Sequence, residues 1–136
     1  MSGEDDKARN TEMILLVDDD EIVRKFVLQV LQTSGYAVIE ASNGPEALRI
    51  AKEHTGPINL LLTDIKMPKM NGRELADRLT PLRPGVKVLY ISGHTDSATV
   101  NQMALQRGAN FLQKPFTPDR LTTKVRKVLD SSVLPS

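Results

Sequence analysis

The stretch that decides the fold is Met13–Glu21, MILLVDDDE, in which five apolar residues run directly into four acidic ones. An apolar run with no polar interruption is typical of a strand that is covered on both faces, as strands of parallel sheets are. Acidic residues favour the first turn of a helix, where they cap backbone amides and complement the helix dipole. The stretch therefore predicts a buried strand that leads into a helix, with carboxylates at the junction.

Outward from this stretch, short β-rich apolar runs alternate with segments of helical period, which predicts five βα units around a parallel sheet. We expect an α/β doubly wound (βα)5 fold of the flavodoxin-like type, with sheet order 2-1-3-4-5 and helices on both faces. The predicted strands are 13–17, 36–40, 59–63, 86–91 and 110–113. The predicted apolar helix faces are Ile22, Phe26 and Val30; Ala47, Leu48 and Ala51; Leu75, Ala76 and Leu79; Val100, Met103 and Ala104 within His94–Arg107; and Leu121, Val125, Val128 and Leu129.

Composition indicates one ordinary globular domain. The 136 residues carry 18 lysines and arginines against 17 aspartates and glutamates, a formal charge of +1 that offers no bulk field for nucleic acid or an anionic membrane. The absence of cysteine excludes disulfides and thiolate chemistry, and no apolar run is long enough to span a bilayer. We expect a cytoplasmic domain over residues 11–131, with disordered tails at 1–10 and 132–136.

Carboxylates follow two strands that are neighbours in the predicted sheet. Asp18, Asp19 and Asp20 follow the first strand and Asp64 follows the third, at the switch point where doubly wound sheets bind ligands. Two such charges about 4 Å apart repel by about 4 kcal/mol at an effective dielectric near 20, so a shared cation is expected. Oxygen ligands favour Mg²⁺, with Mn²⁺ as a substitute. The alternative for Asp18–Glu21, above all for Asp20 and Glu21, is helix capping alone.

Two further polar side chains are predicted at the same sheet edge. Lys114 follows the fifth strand and is able to reach Asp64 as a mobile charge, whereas the alternative is a solvated surface lysine. Ser92 ends the fourth strand and offers a hydroxyl donor, with an ordinary turn serine as the alternative. Each alternative is reasonable singly, but carboxylates, a hydroxyl and a lysine after four different strands indicate one common site.

These motifs together resemble the receiver domains of response regulators, over about Met13–Asp130. The matching segments are the acidic pair in Val17–Asp19, the phosphoacceptor segment Asp64–Gly72 (DIKMPKMNG), the hydroxyl residue Ser92 and the turn Lys114-Pro115-Phe116. The resemblance implies a switch rather than an enzyme, which takes a phosphoryl group from a histidine kinase or a histidine phosphotransfer protein. The stretches 90–94 and 111–118 are similar to receivers attached to hybrid sensor histidine kinases.

The resemblance also implies a role for each site residue. Asp64 is the nucleophile, and the direct Mg²⁺ ligands are Asp19, Asp64 and the backbone carbonyl of Lys66, with Asp18 acting through water. Ser92 and Lys114 hold phosphoryl oxygens, and the Lys114-Pro115 bond is expected to be cis.

Two further roles concern the switch and the phosphate lifetime. Phe111 occupies the position of the switch aromatic, for which plain core packing is the alternative, and it works with Ser92. Lys66 and His94 occupy positions where the family tunes hydrolysis of the phosphoaspartate. The resemblance also implies an output surface, formed by the fourth helix, the fifth strand and the last helix, that contacts a downstream domain or protein. The basic residues of the last helix indicate a solvated face rather than a nucleic-acid site.

Three other functions are compatible with parts of the pattern. A Mg²⁺-dependent phosphatase with an aspartate nucleophile would use Asp18 and Asp20, but the chain offers no cap and only Asp96, Asp119 and Asp130 as further acids. A flavin binder needs a glycine- and hydroxyl-rich phosphate loop, where this chain has four acids. The third is a receiver-like docking module that is never phosphorylated, which the complete set of site residues argues against.

Overall fold

The computed structural model describes residues 12–93, 98 and 110–131. Five parallel strands form one sheet of order β2-β1-β3-β4-β5, as the sequence predicts. Central β1 and β3 are apolar and are covered on both faces. The strands are β1 Met13–Val17, β2 Ala37–Ala41, β3 Leu60–Asp64, β4 Lys87–Ser92 and β5 Asn110–Gln113.

Three of these strands begin and end one residue later than the apolar pattern predicts. Asp64 still pairs with Ile91, and Ser92 still pairs with Gln113, so the ladder continues into the polar residues. The hydrophobic pattern shows only where the apolar residues of a strand end. The strand itself ends where its backbone stops pairing with the neighbouring strand. Both site residues are therefore held by the sheet itself rather than by a loop.

Four helices are described, and each begins at a polar cap. They are α1 Glu21–Thr33, α2 Gly44–Glu53, α3 Gly72–Leu79 and the C-terminal helix Pro118–Asp130. Their N-cap side chains accept backbone hydrogen bonds from the first turn, which satisfies amides that have no partner within the helix. The caps are Asp20, Asn43, Asn71 and Thr117.

The helices cover both faces of the sheet and create two apolar layers. One layer packs α1 and the C-terminal helix against the sheet, and the other packs α2 and α3 against the opposite face. The predicted apolar faces of α2, α3 and the C-terminal helix are confirmed, with only Leu48 left partly exposed. The sheet edge formed by the carboxyl ends of the strands lies between these layers.

The predicted apolar face of α1 is wrong. Val27 and Leu31 are buried, while the side chains of Ile22 and Phe26 are 83% and 41% exposed and Val30 is only half-buried. Two apolar rows run side by side along this helix, one residue apart, and both have a spacing of four. Only packing against the sheet decides which row is covered.

Some predictions fall on residues outside the described part. The predicted helix His94–Arg107 lies there except for Ala98, which is helical and exposed. His94, the apolar residues Val100, Met103 and Ala104, and both predicted tails lie outside the described residues too. Among the helices that are described, none has the length and apolar character needed to cross a membrane.

Candidate functional site

Three carboxylates meet at the carboxyl edge of β1 and β3. Asp18 and Asp19 directly follow β1, and Asp64 ends β3, the neighbouring strand. One oxygen from each of the three side chains lies within 4.8 Å of the others. Asp18 is fully buried and Asp64 nearly so, whereas Asp19 is exposed. The cluster is thus open on one side and closed on the other, which suits an ion that keeps some of its water.

The carboxylate of Asp18 is buried, and its hydrogen bonding is incomplete. Its Oδ1 accepts a hydrogen bond from the Asp20 amide at 2.9 Å, but its buried Oδ2 has no hydrogen-bond partner among the residues that the structure describes. Burial raises the pKa of Asp18 to about 6, and the charges of Asp64 and Asp19 add to the rise. A buried, unpaired carboxylate oxygen is costly without a cation. The residues present therefore fit a hard divalent ion such as Mg²⁺.

Asp64 lies beside Lys114, a positively charged side chain that follows β5. Burial raises the pKa of the Asp64 carboxyl, and the neighbouring Lys114 opposes this rise. Lys114 Nζ lies 3.5 Å from Asp64 Oδ2, at the long limit of a hydrogen bond, and its side chain is about one-third exposed. The ammonium group is therefore close but loosely held, so it is free to engage an oxygen placed on Asp64.

The sheet ladder brings Ser92 and Lys114 to this edge. Ile91 pairs with Asp64, so the buried Ser92 comes one residue beyond the carboxylate on the adjacent strand. The Lys114 amide donates to the Ser92 carbonyl at 2.8 Å, and the Lys114-Pro115 bond is cis as expected. The structure thereby gathers Asp18, Asp19, Asp64, Ser92 and Lys114 at one edge of the sheet.

Asp20 caps α1, which is the alternative role that the sequence allowed for this residue. Its Oδ1 accepts hydrogen bonds from the amides of Ile22 and Val23 at 2.9 and 3.3 Å. Asp20 is exposed and serves the helix, whereas Asp18 is buried. An Asp18-x-Asp20 pair acting as nucleophile and acid is therefore not favoured.

Arg24 is a supporting residue that sequence reasoning missed. Its Nη1 donates to the Asp18 carbonyl at 2.7 Å, and its Nε donates to Glu40 on β2 at 3.1 Å. These contacts fix the turn that carries the aspartates. No local signal reveals this role, because Arg24 and Glu40 meet only once β2 lies beside β1.

Gly72 is the last residue of the phosphoacceptor segment, and its close packing against Asp64 was not predicted from the sequence. A Cβ atom at this position would lie 2.2 Å from the Asp64 carbonyl oxygen. The Gly72 amide donates to the Ile65 carbonyl at 2.7 Å, which closes the loop against the end of β3. Only glycine permits α3 to begin this close to Asp64.

Phe111 lies next to Tyr90 and near Ser92. The rings of Tyr90 and Phe111 are stacked with centroids 5.5 Å apart, and Phe111 is half-buried. Ser92 and Phe111 also line one cavity of about 690 Å³. Lys66 is exposed, two residues beyond Asp64, and the role of its backbone carbonyl as a Mg²⁺ ligand stays a prediction.

The family model for the response regulator receiver domain matches residues 14–126. This chain belongs to that family. The receiver domain is 39% identical to the response regulator receiver protein CpdR of Brucella abortus over 85% of this chain and 95% of CpdR. It is 35% identical to the sensor kinase CckA of the same organism over 86% of this chain, but it spans only 12% of that kinase.

Solved structures support the same assignment. A receiver domain protein (CheY-like) from Methanospirillum hungatei has a TM-score of 0.78 and 35% identity, with 88% of this chain and 94% of that chain covered. The receiver domain from the hybrid histidine kinase CckA has a TM-score of 0.72 and 32% identity, with 87% and 99% covered. The receiver domain described here is a signalling switch of a two-component system, and its acidic cluster is consistent with a phosphoacceptor site.

Proposed function

We propose that Asp64 accepts a phosphoryl group from a histidine kinase or a histidine phosphotransfer protein, in a reaction that depends on Mg²⁺. The observation that carries the proposal is the convergence of Asp18, Asp19, Asp64 and Lys114 at one sheet edge, with an unpaired buried oxygen on Asp18. Phosphoryl transfer needs an in-line nucleophile and charge stabilisation more than covalent chemistry from the protein. This edge supplies both.

Asp64 acts as the nucleophile without a general base, because its carboxylate is already ionised when the phosphoryl group arrives. A bond forms between an Asp64 oxygen and phosphorus while the phosphorus–nitrogen bond of the donor histidine breaks, and the electron pair leaves with the imidazole nitrogen. Lys114 Nζ moves onto a phosphoryl oxygen from its loose position 3.5 Å from Asp64 Oδ2. Ser92 donates its hydroxyl hydrogen bond to a second oxygen.

We assign Asp19, Asp64 and the Lys66 carbonyl as the direct ligands of Mg²⁺, with Asp18 acting through a bound water. When bound, Mg²⁺ would neutralise the negative charge that develops on the phosphoryl oxygens. The assignment separates Asp19 from Asp20, its neighbour, which caps α1. Asp19→Asn is expected to weaken Mg²⁺ or Mn²⁺ binding, measured by calorimetry, whereas Asp20→Asn retains it.

The phosphodonor is proposed to dock on an exposed apolar patch beside the site. Ile22 and Phe26 project from α1 into solvent, and Phe116 lies 6.3 Å from Phe26 between ring centroids. The patch begins two residues after Asp20, so a helix that covers it brings a histidine to the mouth of the carboxylate cluster. Exposed aromatic and aliphatic side chains that are grouped in this way mark protein interfaces.

We propose that the output surface, which contacts the downstream partner, consists of β5, the C-terminal helix and the segment between β4 and β5. Phosphorylation draws Ser92 towards the phosphoryl group, and Phe111 then moves within the cavity that both residues line. The downstream partner is a protein or an output domain, and a hybrid histidine kinase is the proposed parent of the chain because the CckA receiver resembles it. The cytoplasmic location stays a prediction.

Intact-protein mass spectrometry tests the proposal. The protein is incubated with acetyl phosphate, with Mg²⁺ or with a chelator, and compared with Asp64→Asn. A mass increase of one phosphoryl group that needs both Mg²⁺ and Asp64 is the expected result. No adduct in any sample would contradict the phosphoacceptor role and favour a docking module. An adduct in Asp64→Asn would place the acceptor elsewhere.

A further inference from the structure

A second aromatic ring stacks on the predicted switch residue. Tyr90 of β4 and Phe111 of β5 are direct partners in the parallel register. Their rings are 5.5 Å apart between centroids, with an interplanar angle of 29°. Both rings belong to the apolar layer on the face of the sheet that α2 and α3 cover, and Tyr90 is 6% exposed. Tyr90 is therefore a fixed surface on which the half-buried Phe111 rests.

The same face of β4 offers Phe111 two different neighbours. Residues two apart on a strand point to the same face and are separated by about 7 Å. Tyr90 and Ser92 have this relationship, and Ser92 and Phe111 line one cavity of about 690 Å³. The Phe111 ring is thus able either to stack on Tyr90 or to turn along β4 towards Ser92. Tyr90 is the direct partner of Phe111 in the register, whereas Ser92 pairs with Gln113 and lies diagonally from Phe111, so a ring that turns towards Ser92 moves away from Tyr90.

We propose that Tyr90 is a positioning residue that holds Phe111 away from Ser92 in the resting state. The inference rests on the proposed function, since Phe111 moves only if phosphorylation of Asp64 draws Ser92 inward. Tyr90 then sets how strongly the resting rotamer is preferred. Phe111 has no hydroxyl with which to hold a position by hydrogen bonding, so ring stacking supplies the preference instead.

The size of the effect follows from the strength of an aromatic stack. An offset-stacked pair shifts an equilibrium by about two- to tenfold beyond the area that it buries. When a ligand binds only the minor conformation, its apparent affinity is its intrinsic affinity multiplied by the fraction of molecules in that conformation. Removing the stack is therefore expected to increase the apparent affinity for a phosphoryl mimic by about two- to tenfold.

Beryllofluoride with Mg²⁺ is the probe, and its binding is followed by calorimetry. Tyr90→Leu is expected to bind it about two- to tenfold more tightly than the wild type, while Tyr90→Phe, which keeps the ring, binds as the wild type does. In a Phe111→Leu background, Tyr90→Leu is expected to change the affinity no further. If Tyr90 had a purely structural role, Tyr90→Leu would change the affinity for beryllofluoride equally in both backgrounds. That result would contradict the proposal.

A measurement on the unmodified protein covers the case in which Tyr90→Leu does not fold. Nuclear Overhauser contacts between the ring protons of Tyr90 and Phe111 are expected without beryllofluoride and lost when it saturates the protein. Contacts that persist at saturation overturn the role of Tyr90 while the phosphoacceptor proposal stands. If the wild type does not bind beryllofluoride at all, the phosphoacceptor proposal fails, and this inference fails with it.

Discussion

Lys114 Nζ lies 3.5 Å from Asp64 Oδ2 and opposes the rise that burial causes in the pKa of Asp64. We expect Lys114→Met to raise the pKa of Asp64 further and to slow phosphoryl transfer from acetyl phosphate by about ten- to a hundredfold, since one stabilising charge is removed. Time-resolved mass spectrometry measures the rate, and an NMR titration of the carboxyl carbon measures the pKa.

Lys52→Met is the matched control for Lys114→Met. Lys52 is an exposed lysine in the last turn of α2, and it does not belong to the carboxylate cluster. Its replacement removes the same charge and is expected to leave the rate unchanged. Equal slowing in both variants would mean that net charge, rather than the contact with Asp64, controls the reaction.

The buried carboxylate of Asp18 is expected to make the metal-free protein less stable as the pH rises. Its pKa is about 6 in the folded state, above its usual value of 3.8, so between these values the folded protein binds more protons than the unfolded chain. The free energy of unfolding should therefore fall through this window, by about 2 kcal/mol in total.

Urea denaturation in the presence of a chelator, between pH 4 and pH 7, measures this loss. Asp18→Asn removes the titrating group, so its stability should fall less than that of the wild type over the same range. Asp64 is present in both proteins, but its charge interacts with that of Asp18, so the difference between the two proteins reports the titration of Asp18 together with this interaction. Mg²⁺ should restore most of the loss in the wild type. Parallel curves for the two proteins would show that burial of Asp18 is not the cause.

The close approach of Gly72 to Asp64 predicts a severe effect of one added methyl group. In Gly72→Ala the Cβ would lie 2.2 Å from the Asp64 carbonyl oxygen, so either α3 or the end of β3 must shift. We expect a loss of about 1–3 kcal/mol in stability, together with weaker Mg²⁺ binding because Asp64 moves.

Gly85→Ala separates backbone strain from this steric clash. Gly85 has a φ of +92°, but among the described residues beyond its two chain neighbours no atom lies within 4 Å of an added Cβ. The substitution is expected to cost about 1 kcal/mol from the left-handed backbone and to leave Mg²⁺ affinity unchanged. Both quantities are measured by denaturation and calorimetry. Unchanged Mg²⁺ binding in Gly72→Ala would contradict the role assigned to Gly72.

Arg126 joins Glu12, the residue before β1, to the C-terminal helix. Its Nη2 lies 2.8 Å from both Glu12 Oε2 and Asp130 Oδ1, and its Nη1 donates to the Tyr36 hydroxyl at 3.3 Å. Arg126→Ala is expected to destabilise the protein by about 1 kcal/mol, since several contacts and the packing of the side-chain stem are lost together.

The exposed pair of Arg49 and Glu53 on α2 is the control for this network. Its atoms lie 3.1 Å apart, and both side chains are largely in solvent. Arg49→Ala should therefore cost less than about 0.5 kcal/mol by urea denaturation. A loss as large as that in Arg126→Ala would indicate that the network adds nothing beyond an ordinary surface pair.

The strands and their order in the sheet were predictable from the sequence alone, although three strands begin and end one residue later than the apolar pattern predicts. Apolar runs identified the strands, the acidic residues after the first run marked the start of α1, and the order of βα units determined which strand ends become neighbours. The convergence of Asp18, Asp64, Ser92 and Lys114 followed from that order. These features depend on residues within one turn or on the general rules of parallel sheets, so the amino-acid sequence determines them directly.

The tertiary structure alone decided which face of α1 is buried, which aspartate oxygen lacks a partner and which ring stacks on Phe111. Two apolar rows of α1 satisfy the helical period equally, and only contact with the sheet covers Val27 and Leu31 and leaves Ile22 exposed. The contacts of Arg24 with Glu40 and of Tyr90 with Phe111 join residues far apart in the chain. Local patterns carry no record of such pairs, because their geometry exists only after the strands have paired and the helices have packed.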